Sequence, residues 1–162
     1  MVSFPLAAAL APSPPPLQAS SLRSLVIVAG GGRDLDWPSD QVATTLHIAA
    51  TGRPVQCLLH GGARGADAAI DQAASRLGWP VEILRPQWSL YGRGAGPVRN
   101  RQMLQRACQL TTAGPSPGQP SAGLLVIAFP GRRGTASLLA QARRLQGRAP
   151  LPLEVIDLAA AA

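Results

Sequence analysis

The stretch Leu124-Leu125-Val126-Ile127-Ala128-Phe129-Pro130-Gly131-Arg132-Arg133-Gly134-Thr135 joins a continuous apolar run to a glycine-rich turn and then to a helical pattern. A turn of that kind between a strand and a helix leaves backbone N–H groups free to cradle a phosphate. Two earlier apolar runs end the same way. Leu25-Val26-Ile27-Val28 enters Ala29-Gly30-Gly31-Gly32-Arg33-Asp34, and Val55 to Leu59 enters His60-Gly61-Gly62-Ala63-Arg64-Gly65-Ala66-Asp67. Apolar runs of strand length that alternate with segments of helical period signal βαβ units, hence an α/β fold with a mainly parallel sheet of about five strands.

Outward from these turns, the first strand is read as Leu25 to Val28. A helix follows from Ser39, taken as its N-cap, with Val42, Leu46 and Ala49 on one face and Gly52 ending it. The second strand is Val55 to Leu59. Its helix runs from about Ala66 to Leu77 with Gly78 as C-cap, and a third strand covers Val81 to Leu84. Trp88 to Gly96 reads as a glycine-rich loop leading to Pro97, which suits the first turn of a helix reaching about Ala107. Thr111 to Ala122, rich in proline and glycine, reads as a flexible surface insertion. The fourth strand is Leu124 to Ala128, a helix from about Thr135 carries Leu138, Leu139, Ala142 and Leu145 inward, and Leu153 to Ile156 is a fifth strand. Residues 1–21 are expected to be a disordered leader, and 22–162 a single domain with 111–122 as its insertion.

The formal charge is +7, but all 15 basic residues are arginine, a pattern that reflects codon bias as much as selection for polyanions. Net charge alone is therefore weak support for a nucleic-acid partner. Cys57 and Cys108 form no CxxC pair and have no neighbouring histidine cluster, so they read as inert core thiols of a reducing, cytoplasmic compartment, with no metal. The apolar segment Phe4 to Ala11 lacks a basic flank and is too short to span a bilayer, so no membrane association is expected.

In an open parallel sheet, ligands bind at the edge shared by the C-terminal strand ends and the helix N-termini. The candidate binding residues at that edge are Gly30, Gly31 and Arg33 in the first turn, Gly61, Gly62, Arg64 and Asp67 in the second, Arg99 and Arg101 on the fourth helical segment, and Gly131, Arg132, Gly134 and Thr135 in the third turn. Arg99, Arg101, Arg132 and Arg133 fall within or just before first helical turns, where the macrodipole disfavours a cation by a few tenths to about 1 kcal/mol. A bound anion removes that conflict. The alternative is an arginine-rich composition that scatters these residues over solvated loops. Asp67 suits a ribose hydroxyl or its own helix N-terminus equally well. Trp88 and Tyr91 suit a stacked base or plain loop packing, and His60, ending a buried strand, suits a hydrogen-bonded structural role. Neither GxGxxG with a following acidic residue nor GxxxxGK[ST] occurs, so the standard dinucleotide and triphosphate fingerprints are absent.

Gly61-Gly62-Ala63-Arg64-Gly65-Ala66-Asp67, then Trp88 with Tyr91-Gly92-Arg93-Gly94-Ala95-Gly96-Pro97-Val98-Arg99-Asn100-Arg101-Gln102-Met103, then Ala128-Phe129-Pro130-Gly131-Arg132-Arg133-Gly134-Thr135-Ala136 together resemble the SLOG superfamily, within it the bacterial and phage YspA-like branch. The resemblance covers roughly residues 24–156. It implies a Rossmann-like three-layer sandwich that binds or senses a nucleotide or nucleotide-derived small molecule, with no resident cofactor. Relatives include the LOG phosphoribohydrolases, which release a base from a nucleoside 5′-monophosphate, and the DprA proteins, which bind single-stranded DNA. The LOG pattern has an Arg four residues before a Met, then PGGxGTxxE. Arg99 and Met103 match the first part, and Pro130, Gly131, Gly134 and Thr135 match most of the second, but Arg132 replaces a Gly and Leu138 stands where the catalytic Glu would be. If the chain were a hydrolase, Arg99 would be the candidate catalytic residue, with Asp67 or Asp34 substituting for the missing carboxylate. Without the carboxylate the resemblance favours binding, with hydrolysis as the alternative and single-stranded DNA binding as a third, disfavoured reading. A homo-oligomer is compatible with all three.

Overall fold

The computed structural model describes residues 23–118, 122–148 and 152–160. The expected leader, residues 1–21, lies outside the described residues. Five strands, β1 (Leu25–Gly30), β2 (Val55–His60), β3 (Val81–Ile83), β4 (Gly123–Ala128) and β5 (Leu153–Asp157), form one sheet in the order β3-β2-β1-β4-β5. Every pairing is parallel. The helices are α1 (Ser39–Ala50), α2 (Ala66–Leu77), the one-turn α3 (Trp88–Tyr91), α4 (Ala95–Ala113) and α5 (Arg133–Gln146).

β1 and β4 are buried at every residue, as strands covered on both faces must be. Their side chains alternate between two cores. Leu25, Ile27, Leu125, Ile127 and Phe129 pack with Val42 and Leu46 of α1 and Ile70 of α2. Val26, Val28, Leu124 and Val126 pack with Met103 and Leu104 of α4 and Leu138 of α5. The period-two alternation of the strands and the 3.6-residue period of the helices thus generate a three-layer sandwich, the Rossmann-like arrangement expected.

The chain runs from β1 outward to β2 and β3, then returns to the opposite side of β1 for β4 and β5. The strand order reverses between β1 and β4. A crevice opens at such a reversal because the connections leave in opposite directions. There the first and third glycine-rich turns meet: Gly32 N–H donates to Pro130 O at 2.9 Å, and Phe129 N–H to Gly30 O at 2.8 Å.

Four sequence expectations are corrected. Trp88 to Gly96 is not a loop: it forms α3, a 3-10 turn at Gly92–Gly94, and the start of α4 at Ala95. Pro97 is the third residue of α4, where the missing N–H costs nothing. Arg99 and Arg101 therefore sit beyond the first turn, where the dipole penalty has largely decayed. The insertion expected from Thr111 is also shorter, since α4 continues to Ala113 and both Thr111 and Ala122 are fully buried. Ala122 N–H donates to Thr111 O at 3.0 Å, which ties the base of this segment into the fold, while residues 119–121 lie outside the described ones. Ser39 is the first helical residue of α1 rather than its cap, a position taken by Pro38. No helix among the described residues is long and apolar enough to cross a membrane.

Candidate functional site

A cavity of about 750 Å³ lies over the strand reversal, within the range of roughly 300–1,000 Å³ usual for small-molecule sites. All three glycine-rich turns and α4 line it. Of the residues singled out from sequence, the structure brings together Gly30, Gly31 and Arg33 from the first turn and Gly61, Arg64 and Asp67 from the second. Arg99 of α4 joins them, as do Arg132, Gly134 and Thr135 at the start of α5. Three are not in the lining. Arg101 is exposed elsewhere on α4, since a residue two positions from Arg99 points to a different helical face. Gly131 backs the turn against Gly32 and Thr135, and Gly62 lines a smaller adjoining cavity instead.

The turns come this close because they carry no side chains at the contact points. A β-carbon on Gly31 would stand 2.7 Å from that of Ala66 and 2.8 Å from that of Phe129, so any larger residue would push the start of α2 away from the end of β4. A β-carbon on Gly61 would collide with the guanidinium of Arg99, which lies across that turn.

Arg99 is the central charge. Its Nε donates to Asn100 Oδ1 at 3.1 Å, whereas its buried Nη1 has no hydrogen-bond partner. Burial pulls its pKa below the ordinary arginine value and the neighbouring Arg33 adds to this, against the attraction of Asp67. Asn100, 2% exposed, also donates from Nδ2 to Gly134 O at 3.1 Å, so it couples Arg99 to the start of α5. Asn100 was missed in the sequence reading. The available signal was a poor helix former standing between two arginines in an otherwise helical pattern.

The N-terminus of α5 has no side-chain cap and no acidic residue in its first turn. Its opening N–H groups thus lack the usual acceptors and carry the positive end of the helix dipole. Thr135, 6% exposed, has a buried hydroxyl with no partner. Arg132 is the residue before this helix; its side chain is 89% exposed and loosely paired with Asp34 at 3.7 Å. Leu138 is buried one turn further on, with Cδ2 standing 3.2 Å from where a β-carbon on Gly30 would sit.

Asp67 is 4% exposed in the first turn of α2, and its Oδ2 accepts the Ala63 N–H at 3.1 Å. Burial raises its pKa above the usual carboxylate range, opposed by the hydrogen bonds from Ala63 and Gly61 and by the attraction of Arg99. This bond holds the second glycine-rich turn ahead of α2, and Asp67 also stands in the cavity lining. His60 is structural: Nε2 lies 2.9 Å from Asp71 Oδ1 while Nδ1 accepts the Gly62 N–H at 3.0 Å, which fixes the neutral tautomer with the proton on Nε2. Trp88 is 48% exposed with the Arg33 guanidinium 5.4 Å from its ring centroid, so a ring face remains usable for stacking. Among the described residues, no group of three or more His, Cys, Asp or Glu side chains is placed to hold a metal ion.

Comparison with curated proteins and with solved structures returns no match. A family model does match, over residues 25–91, that is from β1 through α3 and across the first two glycine-rich turns. That model is the one of YAcAr, the YspA, cpYpsA-related SLOG family, to which this stretch of the chain is similar.

Proposed function

We propose that the cavity binds a nucleotide or nucleotide-derived small molecule through its phosphate, which lies between Arg99 and the N-terminus of α5. One observation carries this reading: two residues of the cavity lining, Arg99 and Thr135, each hold a buried polar atom without a partner, Nη1 and Oγ1, beside an uncapped helix N-terminus. Buried polar groups are almost always hydrogen-bonded, and an unmade bond costs about 1–3 kcal/mol. A phosphate oxygen is an acceptor for the guanidinium, the hydroxyl and the helix N–H groups together.

The alternative, a nucleoside 5′-monophosphate phosphoribohydrolase, has a single observation in its favour. Asp67 is a carboxyl with a raised pKa in the cavity, as an acid catalyst would be. Against it, that carboxylate is already engaged by the turn backbone, and Leu138 puts an apolar group where the LOG pattern requires Glu.

Calorimetric titration with a panel of nucleoside monophosphates, alongside an assay for free base, tests both readings. The wild-type protein binds at least one nucleotide and releases no base above background. Arg99→Ala weakens binding at least tenfold, because loss of one charge-assisted bond of about 1.5–3 kcal/mol exceeds the roughly 1.4 kcal/mol that a factor of ten requires. The variant keeps its fold, since burial already disfavours the charge it removes. Base release that disappears in Arg99→Ala would instead establish the hydrolase.

A further inference from the structure

Beside the main cavity lies a second of about 380 Å³. The two share Arg33, Gly61, Ala63, Arg64 and Trp88 as walls, so they are contiguous, with Trp88 at their junction. What the second adds is Gly62, Arg85 and Pro86. Among the described residues, no carboxylate lines it.

Arg85 is held in place by the second glycine-rich turn. Its Nη1 donates to Gly62 O at 3.0 Å. That turn is in turn braced from below, because the Gly62 N–H donates to the buried His60, which is itself paired with Asp71. A guanidinium fixed on a braced backbone is a preorganised anion contact, unlike an arginine on a free loop. The contiguous cavities of this groove therefore carry Arg99 and the start of α5 in the main one alone, Arg85 in the second alone, and Arg64 in the wall common to both. Trp88, common to both linings, has a ring face that already accepts a flat guanidinium.

We propose that the groove takes a nucleotide phosphorylated at both ends of its nucleoside, the class of the nucleoside 3′,5′-bisphosphates. One phosphate lies at Arg99, the nucleoside packs against Trp88 in place of Arg33, and the second phosphate reaches Arg85 and Arg64. This rests on the nucleotide reading of the main cavity. A monophosphate fills only the first end, and a contiguous diphosphate keeps both charges there.

The test is calorimetric titration of the wild type and Arg85→Ala with 5′-AMP, ADP and adenosine 3′,5′-bisphosphate at one ionic strength. The bisphosphate binds wild type at least about tenfold more tightly than either AMP or ADP, as one added charge-assisted contact requires. Arg85→Ala abolishes that gain and leaves AMP affinity unchanged, which also shows that the variant is folded. A bisphosphate no tighter than ADP, or a gain that survives Arg85→Ala, overturns the proposal while Arg99-dependent AMP binding leaves the nucleotide reading standing. No binding of any of the three to wild type overturns both.

Discussion

The guanidinium of Arg99 occupies the space that a β-carbon on Gly61 would fill. The second glycine-rich turn and α4 are therefore fitted to each other through a charge rather than through apolar packing. Gly61→Ala forces the guanidinium aside. The obstacle is the far end of a flexible side chain, so the fold survives with a loss at or below the roughly 1–3 kcal/mol of ordinary overpacking. Nucleotide affinity falls by about tenfold, as in Arg99→Ala. Thermal melts and titration of the same preparation check this, and unchanged affinity would show that the position of Arg99 does not matter.

Asn100 ties Arg99 Nε to Gly134 O and touches α4 and α5 at once. Asn100→Ala leaves the Arg99 Nε and the Gly134 carbonyl without this partner, at a cost of about 1–3 kcal/mol. The same change weakens nucleotide binding, because the guanidinium and the helix N-terminus are no longer held in register. Chemical denaturation together with calorimetry separates the two effects. A stability loss with full affinity retained would make Asn100 a packing residue only.

Asp67 links stability to pH with a definite sign. Burial raises its folded pKa above the unfolded value, so its contribution is complete below about pH 4 and is lost as pH rises through the folded pKa. Asp67→Asn keeps an acceptor for the Ala63 N–H without the charge. The variant is therefore more stable than wild type at neutral pH, and the difference shrinks as pH falls toward 4. Melting temperatures of both proteins across that range test it. A wild type that gains on the variant as pH rises would mean that attraction to Arg99 outweighs burial.

The segment between α4 and β4 divides into a buried base and a tip. Replacing residues 115–121 with a shorter glycine-serine linker changes thermal stability little, since loop-closure entropy varies slowly with length. Ala122→Asp does the opposite and unfolds the protein, because Ala122 is fully buried and a charge there has no partner. Circular dichroism melts distinguish the two. A linker variant that fails to fold would place essential contacts in the tip.

The strands, the main helices and the three glycine-rich turns were legible in the amino-acid sequence, because these depend on local periodicity and on backbone chemistry that glycine alone permits. Leu25 to Val28 and Leu124 to Ala128 read as strands from their unbroken apolar character, and the structure makes both strands, buried at every residue. Tertiary structure decided which turns meet. Only the return of β4 to the far side of β1 brings Gly32 against Pro130 and so makes one cavity from residues distant in the sequence. It also separated Arg99 from Arg101. The two are equivalent in composition and nearly so in position, but α4 begins at Ala95 and its rotation turns one into the cavity and leaves the other in solvent. Glycine content disguised Trp88 to Gly96 as a loop, since low helix propensity is a weak local preference that packing of the following helix overrides. The burial of Asn100 has the same origin: its partners, Gly134 and the Arg99 side chain, come together only when α4 and α5 share one face of the sheet.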